Sequence, residues 1–259
     1  MGKKIAIPKG FDLFHPVNEG STGKKVRYVQ ELLCVNGFNV VIDGKFGPAT
    51  AHAVRRFQEK RGLKVDGIVF AKTYNELLKP FKNVIKEIPV NKRSVGEMVA
   101  AYAEQHLKEH PIEIGGQNKG PWVRLYMNGN EGPEWPWCAG FVSFILKQAF
   151  YSLGKSLPFK TSYSCDLLAV YAMGKDRFLR GFKVENRRQV KPGVIFLSRR
   201  NPTDWVHTGI VTGVELAKGI FYTIEGNTND GGSREGREVC RRIRSLENKD
   251  FVTLQPLRN

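Results

Sequence analysis

One pattern near the start of this 259-residue chain occurs twice and limits its fold more than any other. IDGKFGPATAHAV, from Ile42, is echoed by VDGIVFAKTYNEL, from Val65: a hydrophobe, an Asp-Gly pair, then Thr and an apolar-periodic run. Asp and Gly both tolerate tight-turn geometry, so each copy predicts a turn leading into a helix. Ahead of the first copy, KKVRYVQELLCVNGF places Val26, Val29, Leu32 and Leu33 on one helical face, with Gly37 as the left-handed stop. Between the copies Pro48 suits a first helical position, Ala53, Val54 and Phe57 share a face, and Gly62 ends the helix. Residues 20–80 therefore predict three short helices joined by Asp-Gly turns, closed by Pro80, with a core just large enough to fold. Residues 1–19 read as a tail.

Residues 80–93, PFKNVIKEIPVNKR, contain two prolines and no clean period, so 81–93 predict a linker. Ser94 and Glu97 then have capping-box spacing, opening a helix with Met98, Val99, Tyr102 and Leu107 inward. A second domain is expected over residues 94–259. In it a Gly/Asn-rich stretch leads to Cys138, which opens a helix carrying Phe141, Val142, Ile145 and Ala149 at helical spacing, and SCDLLAVYAM predicts another. The period then changes: GVIFLS, HTGIVTGVEL, GIFYTIEG and DFVTL are short, β-branched and aromatic runs between turns. Helices followed by strands predict an α+β domain with an antiparallel sheet, in a chain of more than one domain.

Composition narrows the partners. No run approaches the ~18 apolar residues of a membrane span, so no membrane insertion is expected. The start, MGKKIAIPKG, holds only Ile5 to Ile7 before Pro8, too short for a Sec signal, and Ala6 stands where myristoylation prefers Ser or Thr. The formal charge is +16, and the first 90 residues carry 16 Lys/Arg against 8 Asp/Glu, which calls for a polyanionic partner. No helix-turn-helix, finger or RNA-binding signature accompanies that charge, so nucleic acid is not the expected one. The cysteines at 34, 138, 165 and 240 lack close pairing, which argues against a structural zinc site and fits synthesis in a reducing compartment.

A thiol attacks a carbonyl as thiolate, and a helix start favours negative charge, which singles out Cys138. A thiolate nucleophile needs a base; of five histidines, His207 alone begins an apparent strand of the C-terminal sheet, from which it can face a helix packed on that sheet. Glu225 and Asn227, two apart in TIEGN, project from one face if the strand stays extended, and could orient the imidazole.

GKKVRYVQELL, GF, IDGKFGPAT, AVRRFQEKRGL and VDGIVFAKTYNELL together resemble a peptidoglycan-binding domain of the type appended to bacterial wall hydrolases. The resemblance implies bacterial peptidoglycan as partner, with anionic wall polymers beside it. Asp43, Gly44, Phe46, Asp66 and Gly67 are the candidate wall contacts in this domain, and Trp137 is a candidate substrate contact beside Cys138. Further on, WCAGFVSFIL, PGVIFLS, HTGIV and IEGN, preceded by IGGQNKGPWVRLYM, resemble the CHAP family of cysteine, histidine-dependent amidohydrolases/peptidases. This implies a papain-like α+β fold with Cys138 as nucleophile, His207 as base, Glu225 orienting it and Asn227 as a further polar member. No cofactor and no metal are implied. Val194 and Val206 depart from the Asp and Gly common at those positions in the family.

The expected function is hydrolysis of an amide in the peptide stem or cross-bridge of peptidoglycan, as N-acetylmuramoyl-L-alanine amidase or as endopeptidase, by a monomer. The rival is a wall-binding scaffold in which Cys138 is structural; within the enzyme class, other amides such as polyamine conjugates are also open. Synthesis in the cytoplasm without a Sec signal, followed by release through a separate pore or delivery by a secretion system, is the expected route to the wall. Endolysin, effector and autolysin remain alternatives.

Overall fold

A computed structural model of the chain describes residues 16–181, 183, 188–228 and 236–257. The expected tail thus lies outside the described residues up to residue 15. Its last residues belong to the fold: Val17 is buried and bridges Val69 in antiparallel fashion.

The N-terminal module is built on α1 (Lys24–Val35), α2 (Pro48–Lys60) and α3 (Ala71–Leu77). Val26, Val29, Leu32, Leu33, Val54 and Phe57 are buried at the positions their periodicity requires, and Pro48 occupies the first turn of α2. Pro80 does not close the unit. It sits in the first turn of a fourth helix, α4 (Lys79–Ile85), where a missing N–H costs nothing. The expected linker therefore begins as a helix whose Phe81 and Val84 are buried.

That helix fastens the module to the C-terminal part. Phe81 stacks on Trp122 with ring centroids 4.1 Å apart. Gln105, on α5 (Val95–Leu107), donates to the carbonyls of Asn83, Val84 and Lys86, each at 2.9 Å. Arg124, on α6 (Pro121–Tyr126), donates to Glu31 of α1 at 2.5 Å and to Glu131 at 2.7 Å. One apolar core runs from Val17 through both parts to Leu254.

α5 starts with the expected capping box: Ser94 N donates to Glu97 Oε2 at 2.7 Å and Glu97 N to Ser94 Oγ at 3.3 Å. α7 (Cys138–Ser152) and α8 (Cys165–Met173) follow. The strands are β1 (Phe178–Leu179), β2 (Ile195–Asn201), β3 (Asp204–Glu215), β4 (Ile220–Thr228), β5 (Glu238–Ser245) and β6 (Lys249–Val252). They form one antiparallel sheet in the order β1-β6-β2-β3-β4-β5. Helices cover one face of the sheet, and a smaller cluster including Phe196, Phe221 and Phe251 fills the other. The chain is therefore a helical module followed by an antiparallel-sheet domain. β5 has no apolar alternation to announce it, since EVCRRIRS is largely charged and half-exposed; it forms because it completes the edge of β4.

Candidate active site

α7 is apolar around most of its circumference, as a helix enclosed by its neighbours must be. Its first turn presses on β4 so closely that a Cβ at Gly226 would lie 2.8 Å from both Trp137 and Phe141. This places Cys138 at the helix start, only 4% exposed, on the wall of a cleft of about 620 Å³. Trp135, Tyr163, Trp205 and Asn227 line the same cleft, as does Cys165, the first residue of α8. The two thiol sulfurs are 3.8 Å apart.

His207 is the fourth residue of β3 rather than its first. Its Nε2 donates to Glu225 Oε2 of β4 at 2.7 Å; Nδ1 is buried with no hydrogen-bond partner among the described residues, and the Cys138 thiol acts on the same ring. The register explains the reach. Ile210 pairs with Ile224, so Gly209 falls beside Glu225, and a Cβ there would come within 2.7 Å of the Glu225 Cγ. Glycine lets the carboxylate lean across to the imidazole two residues away.

Glu225 is fully buried, and a buried carboxylate must be compensated. Arg244 of β5 supplies this as a two-pronged donor, Nε to Oε1 at 2.9 Å and Nη2 to Oε2 at 2.6 Å, and Thr223 Oγ1 donates to Oε1 at 2.5 Å. Burial works to raise the carboxyl pKa, but Arg244 and then His207 overcome it and hold Glu225 at about 2. Burial likewise opposes charge on His207, yet the Cys138 thiolate and Glu225 raise the ring to about 9. For Cys138, a hydrogen bond from Cys165 is the largest influence; against burial, it and His207 hold the thiol well below its ordinary range. The arrangement favours a thiolate–imidazolium pair at neutral pH, next to the unsatisfied N–H groups of a helix start.

Asn227 departs from expectation. β4 does not stay extended: a bulge lies between Glu225 and Thr228, where three steps oppose two on β5, and Asn227 takes a left-handed φ of 55°. The bulge turns Asn227 into the cleft with Cys138 while Glu225 stays behind His207. Trp137 does not line the cleft. It is fully buried, stacked on Tyr126 and donating through Nε1 to Glu113 at 2.9 Å; Trp135, two residues earlier, is on the cleft instead. His106 is a core histidine, bonded to Tyr126 and Gln148 and pushed by burial down to about 3. Arg244 and Cys165 had no signal in the sequence beyond their residue types.

In the module, the twofold sequence pattern is a twofold hydrogen-bond pattern. Gln30 Nε2 donates to Asp43 Oδ1, Lys45 O and Thr50 Oγ1 at 2.8, 3.1 and 3.2 Å, and its Oε1 accepts from Gly44 N. Gln58 repeats this with Asp66 Oδ1, Ile68 O and Thr73 Oγ1 at 3.0, 2.9 and 3.2 Å, and accepts from Gly67 N. Asp43, Gly44, Asp66 and Gly67 are thus engaged in building two equivalent turns, with φ 76° at Gly44 and 74° at Gly67. Phe46 is 2% exposed and belongs to the module core, so no wall polymer can rest on it. The sequence trace of the glutamines that organise both turns is the repeated Val-Gln-Glu and Phe-Gln-Glu.

Residues 22–77 match the sequence profile of the peptidoglycan binding domain family. The N-terminal module is a peptidoglycan-binding domain. A zinc D-Ala-D-Ala carboxypeptidase of Streptomyces albus G is 44% identical over 64 residues, 24% of this chain and 25% of that protein. A spore cortex-lytic enzyme of Bacillus cereus is 45% identical over 67 residues, 26% of each chain. An N-acetylmuramoyl-L-alanine amidase of Bacillus licheniformis is 37% identical over 83 residues, 29% of this chain and 23% of that protein. Among solved structures, the N-terminal domain of SleB is 44% identical, covering 25% of this chain and 90% of that one, at a TM-score of 0.25. The chain spans about a quarter of the length of these curated relatives. The peptidoglycan-binding domain thus recurs in proteins named as a carboxypeptidase, a spore cortex-lytic enzyme and an amidase.

Proposed function

We propose that this chain is a peptidoglycan hydrolase of the CHAP type, with a papain-like catalytic domain that cleaves an amide of the peptide stem or cross-bridge. The observation that carries the reading is the line Cys138, His207, Glu225, anchored by the 2.7 Å bond from His207 to Glu225 and opening on a cleft. In the reaction the Cys138 thiolate attacks the amide carbonyl, while N–H groups of the α7 start stabilise the oxyanion. Protonated His207 gives its proton to the leaving amine, and then takes one from the water that releases the thioester. Glu225 holds the ring's orientation and stabilises its cationic form; Asn227 presents an amide to the substrate from the bulge. Peptidoglycan is the partner, and the charge of +16 adds attraction to anionic wall polymers. The chain acts as a monomer on the wall, after release through a pore or delivery by a secretion system.

Purified walls treated with wild type and with Cys138→Ala test this. The proposal expects turbidity to fall with wild type alone, with new amine termini in the released fragments that identify the bond. Walls bound but left intact by both proteins would favour the scaffold instead.

A further inference from the structure

Two thiols share the cleft, and the proposed hydrolysis consumes only one. Cys138 and Cys165 begin α7 and α8, their sulfurs are 3.8 Å apart, and both side chains face the same cavity. The two helix starts are held together. Ser143 Oγ of α7 donates to Ser162 O at 2.6 Å, just ahead of α8. Ser164 caps α8 through Leu167 N, and Asp166 accepts the backbone N–H of Trp205 at 2.7 Å, fixing α8 to β3. The other two cysteines are placed differently: Cys34 lies in the module with its Sγ on the Val40 carbonyl, and Cys240 lies on β5. Neither lines the cleft.

We propose that Cys165 is a resolving thiol, which captures oxidised Cys138 as a Cys138–Cys165 disulfide and so closes the site reversibly. The oxidant is a hydroperoxide, small enough to enter a cleft in which the two thiols are only 4% and 8% exposed. The Cys138 thiolate attacks the outer peroxide oxygen, the O–O bond breaks, and the alkoxide or hydroxide leaves with a proton, giving a sulfenic acid. The Cys165 sulfur then attacks the Cys138 sulfur; the S–O bond breaks, and water leaves with the Cys165 proton. Two electrons from the two sulfurs reduce one peroxide. The sulfurs must close from 3.8 Å to about 2.05 Å, a movement within reach of side-chain rotation at two helix starts. The lowered thiol pKa of Cys138, and its place on the cleft beside His207, make it the sulfur that meets the peroxide first. Without a resolving thiol the sulfenic acid is open to irreversible oxidation to sulfinic acid.

The role of the disulfide as an off switch rests on Cys138 being the nucleophile; its formation does not. The full chain is treated with hydrogen peroxide, digested without reduction and mapped by mass spectrometry, and wall lysis is read before and after a dithiol reductant. The expected result is a Cys138–Cys165 cross-linked peptide, a loss of two hydrogens in intact mass, and lysis lost with the oxidant and recovered with the dithiol. Cys165→Ser and Cys165→Ala, each normalised to its own reduced state, are expected to gain oxygens on Cys138 and to stay inactive after reduction. Recovery of the wild-type Cys138 peptide as sulfinic acid, or cross-linked to Cys34 or Cys240, would overturn the proposal. If the cross-link forms but the reduced protein never clears walls, the hydrolase reading fails and the resolving chemistry stands.

Discussion

Glu225 shows how much the proposed catalytic arrangement depends on a side chain buried behind the cleft. Its carboxylate is buried between His207 and Arg244, and it remains ionised because both neighbours are cations or donors. Replacing Arg244 with Met leaves a buried carboxylate short of its strongest partner, a loss of about 3–5 kcal/mol for a broken buried pair, and a denaturant titration reads it directly. The same residues set the pH response. His207 is raised to about 9, so the imidazolium that the proposed mechanism uses to protonate the leaving amine is lost as pH rises through that value; wall lysis is expected to fall on that alkaline limb, and Glu225→Gln to move the limb to lower pH. For stability the signs are opposite. The raised His207 contributes fully below its unfolded value of ~6.5 and loses that contribution as pH climbs through about 9. The depressed Glu225 contributes fully above ~4.3 and loses it as pH falls through about 2, which urea midpoints measured across pH would show. Cys138, His207 and Glu225 are candidates in the sequence by residue type and local element, but it is the resemblance to the CHAP family that singles them out. Arg244 is not a candidate there, since only the β4–β5 register brings it to Glu225, and Trp137 misled because adjacency to Cys138 says nothing about burial.

Helices and strands with a clear apolar period were legible; elements made by pairing or by context were not. α1, α2, α5, α7 and α8 lie where their periodicity and caps predict, whereas β5 is a charged strand that exists through its bonds to β4. Pro80 reads as a terminator in sequence and is an initiator in the fold, since the same missing N–H suits both the end of one helix and the first turn of the next. The bulge at Asn227 was equally hidden, because a left-handed Asn within an otherwise regular strand leaves no periodic trace. In the module, two glutamines do the work that the Asp-Gly pairs advertise. Gln58→Ala strips the buried Gly67 N–H of its acceptor and is expected to cost about 1–3 kcal/mol, measured as a shift in the thermal or urea transition. The same change at Gln30 should behave alike, given its matching bonds.

The two parts of the chain are joined more firmly than a tether would join them. The Glu31–Arg124–Glu131 contacts, the Phe81–Trp122 stack and the three carbonyls held by Gln105 set the peptidoglycan-binding domain in a fixed relation to the sheet domain. In the proposed function, a module fixed in this way presents wall and cleft to one another in one geometry, in addition to raising local concentration. Arg124→Ala leaves Glu31 buried without its cation, for a cost of about 3–5 kcal/mol, and limited proteolysis between residues 86 and 93 is expected to quicken as the parts separate. No period in residues 81–93 could have announced this docking, because the contacts that create it come from α1, α5 and α6. The proposed hydrolysis requires a covalent acyl intermediate on Cys138. The most direct measurement is acid quenching of the full chain during turnover of solubilised wall peptides, followed by mass mapping. An acyl adduct on the Cys138 peptide that hydroxylamine removes is expected. Wall cleavage that proceeds with no adduct on Cys138, and at an undiminished rate in Cys138→Ala, would contradict it.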